Sequence, residues 1–193
     1  MGMGRANVRL TARDWSEAGF QGLLEEGLDG VAVERVAARL GATKGSFYWH
    51  FANRDALVAT VLELWRAETE QIITKVDTEA DPRQRMRALF ALVVAEIPID
   101  HAEIDLLGRT DHPLVARAVA QVSQRRIDYM TATLREAGLS PTAAADTAVH
   151  NYALWIGLLQ LQRALPGTVP TGRARARFLR ATGRLLEHSL PVG

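Results

Sequence analysis

The sequence predicts an all-α protein: a three-helix helix-turn-helix unit at the N-terminus, then a larger helical bundle, about nine helices in all. Three observations lead there. Apolar residues recur three and four apart through most of the chain, the spacing of one helix face. Candidate helix starts carry capping residues or proline, and several candidate ends carry glycine. No Asn-Gly hairpin turn and no sustained apolar/polar alternation interrupts this pattern, which leaves no sheet.

Thr11-Ala12-Arg13-Asp14 reads as a capping box with Asp in place of Glu. It opens a first helix that runs to Glu26, with Trp15, Ala18, Gly19, Gly22 and Leu23 on the buried stripe. A second helix spans Val33 to Leu40, and Val31-Ala32 supplies no side chain able to cap it, so a weak cap is expected. Gly41 can take the left-handed conformation that ends this helix and turns the chain. Thr43 then caps a very short third helix.

A longer helix follows from Arg54 to about Val76, with Leu57, Val61, Trp65, Ile72 and Val76 in helical register. At about 1.5 Å per residue it spans roughly 34 Å. Asp81-Pro82 starts the next helix, which Pro98 should end or kink. Residues 100–111 read as a brief helix within a loop. His112-Pro113 begins a long helix to Ala137, and Ser140-Pro141 begins another to Leu165. Thr171 opens the last, which runs to about Ser189. With no Gly/Ser-rich linker, the boundary should fall inside a helical junction: 1–54 as the head, 55–193 as the body.

Composition sets limits. The 193 residues are 48% hydrophobic and 23% charged, ordinary for a globular chain able to bury a core. Without cysteine there is no disulfide framework, thiolate metal site or thiol nucleophile, which fits a reducing, cytoplasmic setting. No stretch reads as a membrane span. The N-terminal residues lack a signal-peptide core, and Ala6 breaks the myristoylation pattern. A net charge of +1 does not call for nucleic acid, so any attraction must come from local placement of basic residues.

The run Gly41-Ala42-Thr43-Lys44-Gly45-Ser46-Phe47-Tyr48-Trp49-His50-Phe51 is the most informative part of the chain. Lys44, Ser46, Tyr48, Trp49 and His50 can donate hydrogen bonds or stack, and Gly45 permits close approach. Phe47 and Phe51, four apart, share the inward face. A helix with donors on one side and aromatic anchors on the other suits the DNA major groove.

The stretch from Trp15 to Leu57 resembles the DNA-binding domain of the TetR family of bacterial transcription regulators. The matching pieces are Gly27, Val36-Ala37, Gly41, the run Lys44 to Phe51, and Asn53-Arg54-Asp55-Ala56-Leu57. The resemblance implies base or base-proximal contacts from Lys44, Gly45, Ser46, Tyr48 and His50, and phosphate contacts from Thr43, Trp49 and Arg54. Arg35, on the second helix, could reach a phosphate or stand solvated. A second reading of Tyr48, Trp49 and His50 places them in the core of the head.

One head reads only a few base pairs, so a homodimer reading a palindromic double-stranded DNA operator is expected. The last two long helices are the candidate interface, by way of Trp155, Leu158, Leu159, Phe178, Leu179, Leu185 and Leu186. An ordinary monomer core is the other use for those residues. The resemblance further implies a small-molecule effector site in the body. Its candidate lining is Trp65, Met86, Phe90, Tyr129, Met130, Tyr152 and Trp155, which favours a hydrophobic or aromatic compound. His101 and Asp105 have a metal-compatible spacing, but a solvated acidic loop is the better explanation; neither a metal nor a cofactor is expected.

These features predict a DNA-binding regulator, a repressor by resemblance, released by a small ligand. Two alternatives stay open: a protein of the same fold controlled by a protein partner, and an all-helical enzyme. For the enzyme, His50, His101, His112, His150 and His188 are scattered, and no motif ties one to a nucleophile or metal.

Overall fold

The computed structural model describes residues 10–96, 101–170 and 172–187, with side chains described except at 94–96, 101, 179 and 183–187. The described residues contain nine α-helices and no strand. Arg5, Arg9, Pro98, Thr171 and Ser189 lie outside the described residues. Among the described residues no helix is long and apolar enough to cross a membrane. The chain divides into two compact units, Met1–Trp65 and Arg66–Gly193.

The first unit begins with α1, Ala12–Glu26. Its capping box is complete: the Thr11 hydroxyl accepts from the Asp14 N–H, and the Asp14 carboxylate accepts from the Thr11 N–H at 2.6 Å. These bonds hold the exposed Asp14 carboxyl below its ordinary range, the Thr11 side chain acting first and the Thr11 backbone second. Between α1 and α2 (Val33–Leu40) the chain makes a 3-10 turn, Gly27–Val31, that sequence periodicity did not signal. Ala32 caps α2 with no side-chain bond, the weak cap expected there. Gly41 closes α2 in the left-handed region, at φ 60° and ψ 30°. After Thr43 comes α3, Lys44–Phe47, then α4, Arg54–Val76.

Trp15, Leu23, Val31, Val36, Phe47, Leu57 and Val58 have no exposed surface and form the core of this unit. Each such side chain contributes about 1.5–3 kcal/mol on burial. Gly22 and Gly30 let α1 and the 3-10 turn touch backbone to backbone. A Cβ on Gly30 would sit 2.1 Å from the Gly22 carbonyl oxygen, and one on Gly22 would sit 2.4 Å from that of Gly30.

The second unit holds the rest of α4 and α5 (Pro82–Glu96), α6 (His101–Leu107), α7 (Pro113–Glu136), α8 (Pro141–Ala164) and α9 (Gly172–Glu187). Proline at the first turn opens α7 and α8, and the Ser140 hydroxyl accepts from the Ala143 N–H to cap α8. The core forms three clusters. Met86, Met130, Leu134, Ala144 and Ala148 join α5, α7 and α8. Ile73, Val76 and Tyr129 join α4 and α7. Ile104, Trp155, Leu159 and Val169 join α6 and α8 to the chain that follows α8.

Candidate nucleic-acid interface

The short helix α3 is pinned by its aromatic neighbours. Phe47, fully buried, packs edge-on against Trp15 with ring centroids 5.5 Å apart and stacks on Phe51 at 5.5 Å. The Thr43 hydroxyl accepts from the Ser46 N–H at 3.2 Å, and the Ser46 hydroxyl donates to the Thr43 carbonyl at 2.7 Å. Four residues could not hold a helix alone; the cap and the Phe47 anchor hold this one.

The opposite side faces outward. Trp49 is 87% exposed and Tyr48 56%. Such exposure of large aromatics is unusual unless a surface meets them. Lys44 is exposed beside them, its Nζ 2.5 Å from Glu34 Oε1. That bond holds the Glu34 carboxyl below its ordinary range. Gly45 is exposed, and a Cβ there would meet only the Thr43 hydroxyl at 3.7 Å. His50 is half-buried, its ring 6.4 Å from that of Trp15, so it sits between the outward face and the core.

Two predicted residues are committed within the unit. Arg35 is ion-paired with Glu26, which Arg39 also binds. Arg54 turns its guanidinium onto the 3-10 turn, donating to the Leu28 carbonyl at 2.8 Å and the Val31 carbonyl at 3.3 Å. These bonds tie the start of α4 to the 3-10 turn. Thr43, Lys44, Gly45, Tyr48 and Trp49 are thus exposed together, with Ser46 and His50 half-buried among them and Arg54 tied inward.

In the second unit a cavity of about 50 Å³ opens among α4, α5, α7 and α8. Phe90, Tyr129, Met130, Tyr152 and Trp155 line it. Met86 does not; it is 2% exposed in the adjoining core cluster. Trp65 belongs to the first unit and is also absent from the lining. The lining residues that sequence reasoning missed, Thr69, Ile72, Ile73, Leu89, Val93, Arg126 and Asn151, include its polar members. Asn151 could have been found, because an amide on the buried face of an otherwise apolar helix is itself a signal.

Arg126 sits at the polar end of this cavity. Its guanidinium lies 2.9 Å from the fully buried Glu103 carboxylate, donates to the Thr69 hydroxyl at 3.2 Å and rests 4.9 Å from the Trp155 ring. The Tyr152 hydroxyl shares a 2.8 Å hydrogen bond with Ser123, and the Tyr129 hydroxyl donates to Asp77 at 2.7 Å. Burial, and for Tyr129 the Asp77 carboxylate after it, pushes both phenols above their ordinary range, so both stay protonated. Asp105 pairs with Arg109 at 3.0 Å, and among the described residues no cluster of His, Cys, Asp and Glu could hold a metal.

The residues proposed for an interface divide. Trp155 and Leu159 are buried among Ile104 and Val169 of their own chain. Leu158 and Phe178 are partly buried against that cluster. The side chains of Leu179, Leu185 and Leu186 lie outside the described residues. The exposed apolar side chains of α8 and its C-terminal cap are Val149, Leu154, Leu161 and Leu165.

A turn-capped short helix, pinned by aromatics and presenting lysine, serine and exposed aromatics outward, defines a helix-turn-helix protein of the nucleic-acid-binding class. Residues 17–61 match the family described as bacterial regulatory proteins, tetR family. The HTH-type transcriptional repressor DhaR of Mycobacterium sp. (strain GP1) is 32% identical over 80 residues, 40% of this chain and 40% of that protein. The tetracycline repressor protein class A from transposon 1721 of Escherichia coli is 41% identical over 46 residues, 24% of this chain and 21% of that protein. The matched stretches thus span less than half the length of these relatives. A transcriptional regulator from Rhodococcus sp. Rha1 shares the fold at a TM-score of 0.77 and 20% identity, over 93% of this chain and 95% of its own. E. coli NemR in its reduced form does so at 0.74 and 18%, over 94% and 97%. Residues 17–61 thus carry the likeness to the tetR family of bacterial regulatory proteins, and the chain as a whole shares the fold of these solved structures.

Proposed function

We propose that this protein is a cytoplasmic transcriptional repressor that binds a palindromic operator as a homodimer and leaves it when a small apolar or aromatic ligand occupies the second unit. The observation that carries the DNA-binding part is the outward face of α3, where Trp49 is 87% exposed beside Tyr48, Lys44 and Ser46. Lys44 donates to guanine acceptors, Ser46 serves either role and Tyr48 lies against the base edges, while Trp49 and Thr43 reach the sugar-phosphate wall. His50 completes the edge of that face.

The homodimer rests on α8. Val149, Ala153, Gly157, Leu161 and Leu165 form a row four residues apart, with Leu154 and Leu158 alongside. Val149, Leu161 and Leu165 are 50%, 44% and 58% exposed. A Cβ added at Gly157 would meet nothing within 4 Å. A second copy of the same helix covers such a row in a two-fold pairing. The ligand reading rests on the aromatic cavity; its occupant releases DNA only by preferring the conformation whose heads do not fit the operator.

Selection from random duplexes, then a mobility shift, tests the reading. The expected product is an inverted repeat with half-sites one helical turn apart, about 34–36 Å. Lys44→Ala with Tyr48→Ala should weaken binding by roughly 30-fold or more, at about 1–3 kcal/mol per specific contact. Affinity should fall with salt at a slope of about −0.9 per phosphate contacted. Enrichment of no sequence, or binding indifferent to the double substitution, overturns it.

A further inference from the structure

The second-unit cavity is apolar, and nearly every polar group in its wall already has a partner. The Tyr152 hydroxyl is bonded to Ser123, the Tyr129 hydroxyl to Asp77, and the Thr69 hydroxyl accepts from Arg126. The Arg126 charge is matched by Glu103, which is 1% exposed. Asn151 differs. It is 6% exposed, lines the cavity, and its side-chain amide makes no hydrogen bond among the described residues. Beside it, the buried Trp155 indole N–H is also without an acceptor. An amide at the cavity wall that no protein group engages is available to a polar atom of whatever enters.

Resting on the reading of this cavity as an effector site, we infer that its ligand is a compact, uncharged, largely apolar molecule carrying one hydrogen-bonding oxygen, a carbonyl or hydroxyl, and that Asn151 recognises that oxygen. The amide both donates and accepts, so it satisfies a carbonyl or a hydroxyl equally well. Phe90, Tyr129, Met130 and Trp155 surround the rest of the ligand. An anionic ligand fits poorly. Reaching Arg126 means displacing Glu103 and leaving that buried carboxylate without its counter-charge, which is strongly unfavourable. A cation meets Arg126 directly. The cavity as it stands has room for a few water molecules, so a single-ring ligand enters as the partly buried Phe90 turns aside.

Acetophenone, toluene and benzoate separate the possibilities, with calorimetry on the full chain at neutral pH. Acetophenone should bind about tenfold tighter than toluene, the worth of one satisfied buried hydrogen bond, and benzoate should bind weaker than acetophenone by a similar factor. Asn151→Leu should bring acetophenone down to the level of toluene while toluene stays within about twofold. The melting temperature reports folding of that variant, and Asn151→Ala is the second variant if Leu disturbs packing. A preference for acetophenone that survives both substitutions, tightest binding by benzoate, or no binding by any probe overturns the inference. If acetophenone binds through Asn151 without weakening the DNA complex, the ligand class stands and ligand-driven release falls.

Discussion

Trp49, in the first unit, is 87% exposed, whereas Trp155, in the second, is 8% exposed with its ring against the Arg126 guanidinium. The two units use one residue type for opposite ends. In the first, the inward aromatics Trp15 and Phe47 fix α3 so that Tyr48 and Trp49 can stand in solvent. In the second, Tyr129, Tyr152 and Trp155 turn inward around a cavity. An outward aromatic suits a large, wet, charged partner that brings its own surface. An inward one suits a partner small enough to enter. Rigidity divides in the same way. The first unit has backbone touching backbone at Gly22 and Gly30, while the second leaves a cavity unfilled.

The largest effect should come from attacking that backbone contact. Gly30→Ala places a methyl group against the Gly22 carbonyl, which cannot rotate away as a side chain can. Overpacking costs about 1–3 kcal/mol and more when backbone must move, so the first unit should lose at least about 3 kcal/mol and DNA binding with it. Gly108→Ala, just after α6, is the control in the second unit. Its added methyl makes only ordinary contacts, 3.5 Å from the Ile104 and Asp105 carbonyl oxygens, so stability should stay within about 0.5 kcal/mol. Chemical denaturation followed by circular dichroism measures both. Equal losses in the two variants would erase the contrast in rigidity.

A second test bears on the exposed apolar row. Leu161→Glu with Leu165→Glu alters side chains that are 44% and 58% exposed, so the isolated chain should keep its melting temperature within a few degrees. In the assembly, both charges would lie buried in the pairing of two α8 helices. Sedimentation equilibrium should then show one chain where the unaltered protein shows two, and operator affinity should drop by about 100-fold or more as two-headed binding is lost. Unchanged mass would move the interface elsewhere and leave the α8 row unexplained.

How much of this was legible in sequence differs between the units for a physical reason. The helix-turn-helix is written locally. Thr11 and Thr43 cap and Gly41 turns through neighbours within four or five residues, Phe47 and Phe51 share a face by being four apart, and α1 to α4 fall where the spacing put them. The 3-10 turn was not legible because it depends on the Gly22–Gly30 approach and on Arg54 reaching back to the Leu28 and Val31 carbonyls. Those are contacts across the fold. In the second unit the helices were legible, but the facing of α8 was not. A helix apolar nearly all round does not say which side its own bundle covers, so Trp155 was offered for both the cavity and the interface, and Leu159 for the interface, while both pack on Ile104 and Val169. The Glu103–Arg126 pair joins α6 to α7 and leaves no sequence signature.

The smallest effect concerns how the first unit holds its lysine in the absence of DNA. Lys44 is paired with Glu34 across 2.5 Å, and both side chains are more than half exposed. Exposed pairs contribute little, so the pair positions Lys44 without locking it, and on the proposed reading a DNA contact would displace Glu34. Glu34→Gln removes the competitor and a negative charge facing the phosphates. Operator affinity should rise, by no more than about fivefold, at an ionic strength near 0.1 M where screening extends to about 10 Å. The gain should vanish near 1 M, where that length is about 3 Å. The pH dependence has a definite sign. Lys44 lowers the folded-state pKa of Glu34, so the pair is intact above the ordinary carboxylate range and is lost as pH falls through the lowered value. The advantage of the Gln variant should therefore be constant through neutral pH and shrink only in acid. An advantage that instead grew on acidification would assign the competing charge to another group and free Lys44 from Glu34 in solution.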